Sequence, residues 1–310
     1  MISDLFSMTV LVGILASGIR LATPYLYAAI GETFSQRSGV LNLGVEGQML
    51  LGAFAAFYVA LTTGNLWLGV SAAIGVGALM GLAMAFVTIN LQAEQGISGI
   101  GFYLFGLGLS DLLFQKLLGT VETVKGFPKA QIPILSDIPI IGEIFFRQNV
   151  LVYLALLLIP LAWFVLNKTT LGLKIKAVGE NPEAADSLGV SVARVRYFTI
   201  ILGGTLSGVA GASLSIALLN VFQQNMTSGL GFIAVALVYF GAWRPWGVLG
   251  GALLFSLVNS LQLWVQVLGI PIPSDIAVMM PYILTILVLV LTVSRVRPPS
   301  ALTKPFERGD

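Results

Sequence analysis

The chain alternates between long apolar runs and short polar breaks. The apolar runs cover 5–31, 44–63, 66–90, 99–118, 150–167, 197–220, 229–243, 247–268 and 277–294. A run of about 17–25 mostly apolar residues is what a helix needs to cross a bilayer. The first is interrupted by Arg20 and Pro24 and meets the polar stretch 32–42 (ETFSQRSGVLN), so boundaries are least sharply marked between 20 and 44 and near 229. The pattern predicts an all-α integral membrane protein. It is a polytopic bundle of about nine transmembrane helices, with 1–310 forming one transmembrane domain. Periodic contrast within the runs is slight, so pore-facing positions do not stand out.

One polar island breaks the pattern in the middle of the chain. Residues 168–196 (KTTLGLKIKAVGENPEAADSLGVSVARVR) carry Lys168, Lys174, Lys176, Arg194 and Arg196 against Glu180, Glu183 and Asp186. Its centre has the start and stop signals of one short helix. Asn181 suits the N-cap, because its side-chain oxygen can accept from a free backbone N–H. Pro182 suits the first helical position, where no N–H is required. Glu183 in the first turn is favourable to the helix dipole. Ala184, Ala185 and Leu188 make one small apolar face, and Gly189 can take the left-handed conformation that ends a helix. Two turns, Pro182 to Leu188, are too short to be stable alone. Flanking helices or a partner must hold them.

Composition sharpens this. The 310 residues are 57% hydrophobic and only 10% charged, where a soluble domain carries about a quarter charged residues. There is no Cys and no His, which excludes disulfides, thiolate metal sites and histidine chemistry. The start MISDLFSMTV has no basic segment or small-residue cleavage site, so no removable signal peptide is expected. Lys and Arg set the orientation. The 168–196 segment, the turn at Arg244 and the tail 295–310 (Arg295, Arg297, Lys304, Arg308) are the basic regions, and four spans separate the first from the tail. All three can therefore be cytoplasmic. The loop 119–149, with three basic and three acidic residues, falls outside, as do the turns 220–228 and 268–275. Nine spans then give an external N-terminus and a cytoplasmic C-terminus.

Small residues recur at helical spacing in Gly203, Gly204, Ser207, Gly208, Gly211 and Ala212, in Gly77 and Gly81, and around Gly101, Gly106 and Gly108. Such surfaces let membrane helices approach closely. A weak internal echo links SGVLNLGVEGQMLLGAF (38–54) with SGLGFIAVALVYFGAW (228–243). Broken helices at matching positions can mark a transport site, and two apolar segments can also resemble each other by chance.

Candidate chemistry lies first in Glu32, Ser35, Gln36, Arg37, Ser38, Asn42, Glu46 and Gln48, with Gly39, Gly44 and Gly47 among them. Two readings stand: a cytoplasmic loop, or broken backbone within the membrane, tolerated only where protein or a watery cavity surrounds it. Glu46 leads directly into the second span, and an ionisable group there is a functional candidate. Its structural alternatives are pairing with Arg37 or capping a helix. Asp111, followed by Gln115 and Lys116, and the turn holding Asn220, Phe222, Gln223, Gln224 and Asn225 are further candidates. Glu32, Asn42, Glu46, Gln48 and Asp111 thus form the candidate solute path. No phosphate-binding G-x-x-x-x-G-K-[ST] occurs, nor H-E-x-x-H, a nucleophile elbow or an Asp pair for magnesium diphosphate. Neither enzyme chemistry nor a cofactor or metal is expected.

The residues GLKIKAVGENPEAADSLGVSVARVRY resemble the cytoplasmic coupling segment of bacterial ATP-binding-cassette (ABC) importer permeases, in the group of ribose-type and branched-chain amino-acid-type permeases. GETFSQRSGVLNLGVEGQMLLGAF and GFIAVALVYFGAWRPWGVLGGALLF are most similar to permeases of nucleoside importers that work with a basic-membrane-protein-type lipoprotein. The likeness spans about 20–295. It implies a bacterial inner-membrane permease that pairs with a second permease or with itself. It also implies two cytoplasmic ATP-binding subunits, an extracellular solute-binding lipoprotein and no nucleic-acid partner. Asn181, Pro182, Glu183, Ala184, Ala185, Leu188 and Gly189 would be the element seated in the ATPase. Ribose-type permeases carry an extra span before the first one here, which fits an external N-terminus. The solute implied is an uncharged nucleoside, with a simple sugar as alternative. A proton- or cation-coupled secondary transporter using Glu32, Glu46 or Asp111 is the reading from another class, and a membrane enzyme or structural bundle the third.

Overall fold

A computed structural model describes residues 7–133, 135–269, 273, 279–283, 286–287, 290 and 297–307. The first helix, α1 (Met8–Arg37), begins where Ser7 Oγ accepts from Val10 N at 3.4 Å. It runs past the expected end at 31 and keeps Glu32, Ser35 and Gln36 helical and buried. Those polar side chains find partners inside the protein, so the helix need not stop where the apolar pattern stops. After it come α2 (Val45–Thr63), α3 (Leu66–Ala85, carried on by a wider π turn to Asn90) and α4 (Gln95–Leu117). A short antiparallel ribbon, β1 (Lys129–Gln131) with β2 (Arg147–Asn149), brackets the small helix α5 (Ile141–Phe145). Backbone bonds from Phe127 N to Ile216 O and Val124 N to Asn220 O tie this loop to the bundle.

The polar island is more helical than its sequence suggests. After α6 (Val150–Lys168), Thr169 caps a helix absent from the expectation, α7 (Thr170–Glu180), by accepting from Gly172 N at 3.2 Å. The expected short helix follows as α8 (Pro182–Ser187). Then come α9 (Val192–Ser213, extended by a π turn to Leu218), α10 (Leu230–Phe240) and α11 (Pro245–Val267).

Among the described residues, seven helices are long and apolar enough to cross a membrane: α1, α2, α3 with its extension, α4, α6, α9 with its extension, and α11. The expected span 229–243 is instead the 11-residue α10. At 1.5 Å per residue it rises about 16 Å, half of a hydrocarbon core of about 30 Å. Gly229 at φ +91° opens it, and left-handed Ala242 and Trp243 close it. Most of the expected span 277–294 lies outside the described residues, as does part of the turn 268–275.

α9 is the central helix, packed on α1, α2 and α3. Its small residues let backbones touch: Gly204 and Gly208 lie against Gly77, Gly204 also against Gly81, and Gly211 against Met49 and Ala53. On α4, Gly106 meets Gly47, whereas Gly101 and Gly108 face open space. The small-residue surfaces of α3 and α9 are therefore packing surfaces. Residues 297–307 fold back under the bundle: Ala301 N donates to Gly179 O at 2.9 Å and Thr303 N to Gly39 O at 3.2 Å.

Candidate functional site

The polar residues between α1 and α2 form one buried network. Glu32 Oε1 accepts from Gln36 Nε2 and from Asn42 N, both at 3.0 Å. Asn42 Nδ2 donates to Gln48 Oε1 at 3.1 Å, and Asn42 Oδ1 accepts from Gly44 N at 3.0 Å. Leu41 N donates to Gln95 Oε1 on α4 at 2.8 Å. Trp243 Nε1 donates to Gln36 Oε1 at 2.7 Å, and Arg37 Nε to the Trp243 carbonyl at 3.0 Å. Glu32, Gln36, Ser38, Asn42 and Gln48 are fully buried. The segment 38–44 is thus broken backbone enclosed by protein, the condition under which such backbone survives at membrane depth. Among the described residues, Glu32 Oε2, Ser35 Oγ and Gln48 Nε2 have no partner, so the network keeps polar capacity in reserve.

Glu46 does something different. Its Oε1 accepts from Thr227 Oγ1 and Gly229 N, both at 2.6 Å, and its Oε2 from Gly231 N at 2.5 Å. The carboxylate therefore caps α10 from outside that helix while sitting in the first turn of α2. A negative group is favourable at both helix starts. Of the two structural alternatives for Glu46, pairing with Arg37 and capping, capping is the one realised, with a helix distant in sequence. The two echoing segments, 38–54 and 228–243, meet at this carboxylate. Thr227 carried no sequence signal, because a threonine before a glycine pair is ordinary in a turn. Asp111, on α4, stands apart: among the described residues its buried Oδ1 has no partner, and no hydrogen bond joins it to Glu32, Asn42, Glu46 or Gln48. In the expected polar turn, Gln223, Gln224 and Asn225 are exposed, while Phe222 is fully buried against Phe54, Phe57 and Phe114.

On the other side of the polar island, α8 has the expected caps. Asn181 Oδ1 accepts from Ala184 N at 2.9 Å, and Gly189 takes φ +82°. The expected apolar face does not form. Ala185 is buried at 3% exposure and Leu188 is 84% exposed, so the two point in opposite directions. Two short turns leave one side for the protein and one for solvent, and the outward side carries Glu183, Ala184, Ser187 and Leu188. Arg196, one of the five basic residues of the island, is buried, donating through Nε to Ser38 O at 3.2 Å and through Nη1 to Lys304 O at 3.1 Å. Lys176 donates to Asn167 Oδ1 at 2.7 Å, and partial burial, with the charge of Arg37 nearby, lowers its pKa. A groove of about 480 Å³ runs between α8 and the tail, past Glu180, Glu183, Lys304 and Phe306.

These elements define a multi-pass membrane protein with a small capped helix outside the bundle and a broken-helix junction inside it. The chain belongs to the family described as branched-chain amino acid transport system / permease component, which matches residues 14–289. It is 41% identical to a protein of Haloferax volcanii provisionally named a glucose ABC transporter permease, over 96% of this chain and 98% of that one. It is 38% identical to a guanosine ABC transporter permease protein of Bacillus subtilis and 38% identical to a nucleoside ABC transporter permease protein of Lactococcus lactis. Each of these two matches covers 93% of this chain and 94% of the relative. No solved structure matches the chain.

Proposed function

We propose that the chain is the membrane-spanning subunit of an ABC importer that passes uncharged nucleosides, driven by ATP hydrolysed on a separate subunit. The observation that carries this is the family match over 14–289, joined to full-length similarity to guanosine and nucleoside permeases. The missing phosphate-binding loop supports the need for another chain to handle ATP. α8 is the docking element for that ATPase. A capped helix of six residues with an exposed leucine gains its stability and purpose from a partner. The groove between α8 and the tail widens the same surface. A second permease completes the pore, and an external solute-binding lipoprotein delivers the nucleoside. In this reading 1–310 is one permease domain, the N-terminus is external, and 168–196 and 295–310 are cytoplasmic. Of the path candidates, Glu32, Asn42, Glu46 and Gln48 position the broken backbone beside the path, and Asp111 lies separately on α4.

The similarity to the Haloferax protein favours a simple sugar as the second reading. Uptake of radiolabelled nucleoside, with unlabelled nucleosides and sugars as competitors, decides between them. Competition by nucleosides alone is expected. Competition by sugars alone would replace the first reading with the second. Uptake that persists without ATP and collapses with the proton gradient would sink both.

A further inference from the structure

A cavity of about 230 Å³ opens where α1, α11 and the segment leading into α10 meet. Tyr25, Phe255, Asn259, Gln262, Thr227 and Tyr282 line it. Among the described residues no charged side chain lines it. α1 and α11 are antiparallel neighbours here: Gly13 meets Trp264, Ser17 meets Ser260, Gly18 meets Leu257 and Tyr25 meets Phe255. Counted from their shared end at Arg37 and Pro245, Tyr25 lies about 18 Å along its helix and Phe255 to Gln262 lie about 15–25 Å along theirs. In a hydrocarbon core of about 30 Å this is mid-depth.

Three polar groups at this depth face the cavity: the Tyr25 hydroxyl and the Asn259 and Gln262 amides. Tyr25 is 2% exposed and Gln262 8% exposed, yet among the described residues nothing hydrogen-bonds to the Tyr25 hydroxyl or to the Gln262 and Asn259 amides. A polar side chain within a span must meet a partner or a polar ligand, since leaving it unpaired costs free energy. The nearby carboxylate of Glu46 does not compete for them, because both its oxygens are already held by Thr227, Gly229 and Gly231. Tyr25 and Phe255 meet edge to face at 5.2 Å, and Phe255 and Tyr282 at 6.3 Å. The cavity thus offers aromatic walls and two amides, each both donor and acceptor.

We propose that this cavity is an intramembrane binding station for the base of a nucleoside. The aromatic rings contact the faces of the heterocycle, and Gln262, Asn259 and the Tyr25 hydroxyl pair with its polar edge. With no charged group among the described lining residues, the phosphate of a nucleotide would be buried without a counter-charge, which is costly. The assignment rests on the nucleoside reading above.

The test uses the assembled importer, with its ATPase and binding protein, in vesicles. Gln262→Met keeps the volume and removes the hydrogen-bonding end. Tyr25→Phe keeps the ring and removes only the hydroxyl. Uptake is compared for nucleosides that share a ribose and differ in the base edge. Each variant is expected to reach the membrane and retain ATPase activity, to lose roughly threefold to tenfold uptake of the preferred nucleoside, and to change the ranking among bases. An unchanged ranking in both variants, whether uptake is intact or uniformly lowered, overturns the assignment. Wild-type importer that takes up no nucleoside overturns the functional reading along with it, so the two failures are distinct.

Discussion

At the scale of single residues, Glu46 holds the most consequential position. One carboxylate accepts three hydrogen bonds from a segment more than 180 positions away in sequence. Hydrogen bonds to a charged group are worth roughly twice neutral ones, and a buried donor left alone is costly. Glu46→Ala is expected to lower the stability of the purified complex by about 3 kcal/mol and to cut uptake at least tenfold, while the ATPase still co-purifies. Glu46→Gln, which keeps the shape, should lose less. Normal uptake by the alanine variant would leave the carboxylate with no role in the path. Glu46 was legible because a lone acid opens an apolar run. Its partners were not, since backbone N–H groups carry no sequence signature. Glu94 offers a milder case at the surface. Its carboxylate accepts from Ile97 N and Gly96 N at the start of α4, and these bonds depress its pKa. A depressed carboxylate contributes stability that is present above its ordinary pKa of 4.5 and is lost as pH falls through the folded value. The stability difference between wild type and Glu94→Gln should therefore shrink between pH 6 and about 3, followed by thermal unfolding. A constant difference across that range would remove the capping role.

At the scale of elements, the sequence is informative where a helix begins with side-chain chemistry and uninformative where it ends by backbone geometry. α8 was readable from Asn181, Pro182 and Gly189 because each residue type has a distinct conformational reason to be there. α7 was not. Its single cap, Thr169, is shared with the end of α6, and its lysines read as a solvated stretch. The half length of α10 was hidden for another reason. Its composition equals that of a full span, and the break falls at Ala242 and Trp243, residues with no preference for the left-handed conformation they adopt. That turn is held from outside by Gln36 on the Trp243 indole and Arg37 on its carbonyl. The same geometry decides what α8 can present. Ala185 points inward and Leu188 outward, so the two are expected to fail differently. Leu188→Asp should leave expression and thermal stability within about 0.5 kcal/mol of wild type and abolish ATP-driven uptake and ATPase co-purification. Asn181→Ala should cost about 1 kcal/mol through the lost cap and weaken both partially. Full retention of ATPase by Leu188→Asp would mean that α8 is not the contact.

At the scale of the whole molecule, hydropathy located the spans but could not show how they interlock. Seven of the nine apolar runs coincide with membrane-length helices among the described residues, because lipid demands length and apolarity and little else. What joins them is local and polar: the Glu32–Gln48 network, the Glu46 cap, and the tail that covers Arg196. Orientation rests on the distribution of Lys and Arg. It also assigns the two ends of α9 to opposite sides, since α8 precedes that helix and the exposed Gln223–Asn225 turn follows it. The natural chain contains no cysteine, so one introduced thiol reports its own side of the membrane without background. Ser187→Cys on α8 and Gln224→Cys in the turn are both exposed positions outside the polar network. A membrane-impermeant thiol reagent applied to intact cells is expected to label Gln224→Cys and to spare Ser187→Cys until the membrane is opened. Labelling of Ser187→Cys in intact cells would invert the bundle. It would place the proposed docking helix away from ATP, and the importer reading would fall with the orientation.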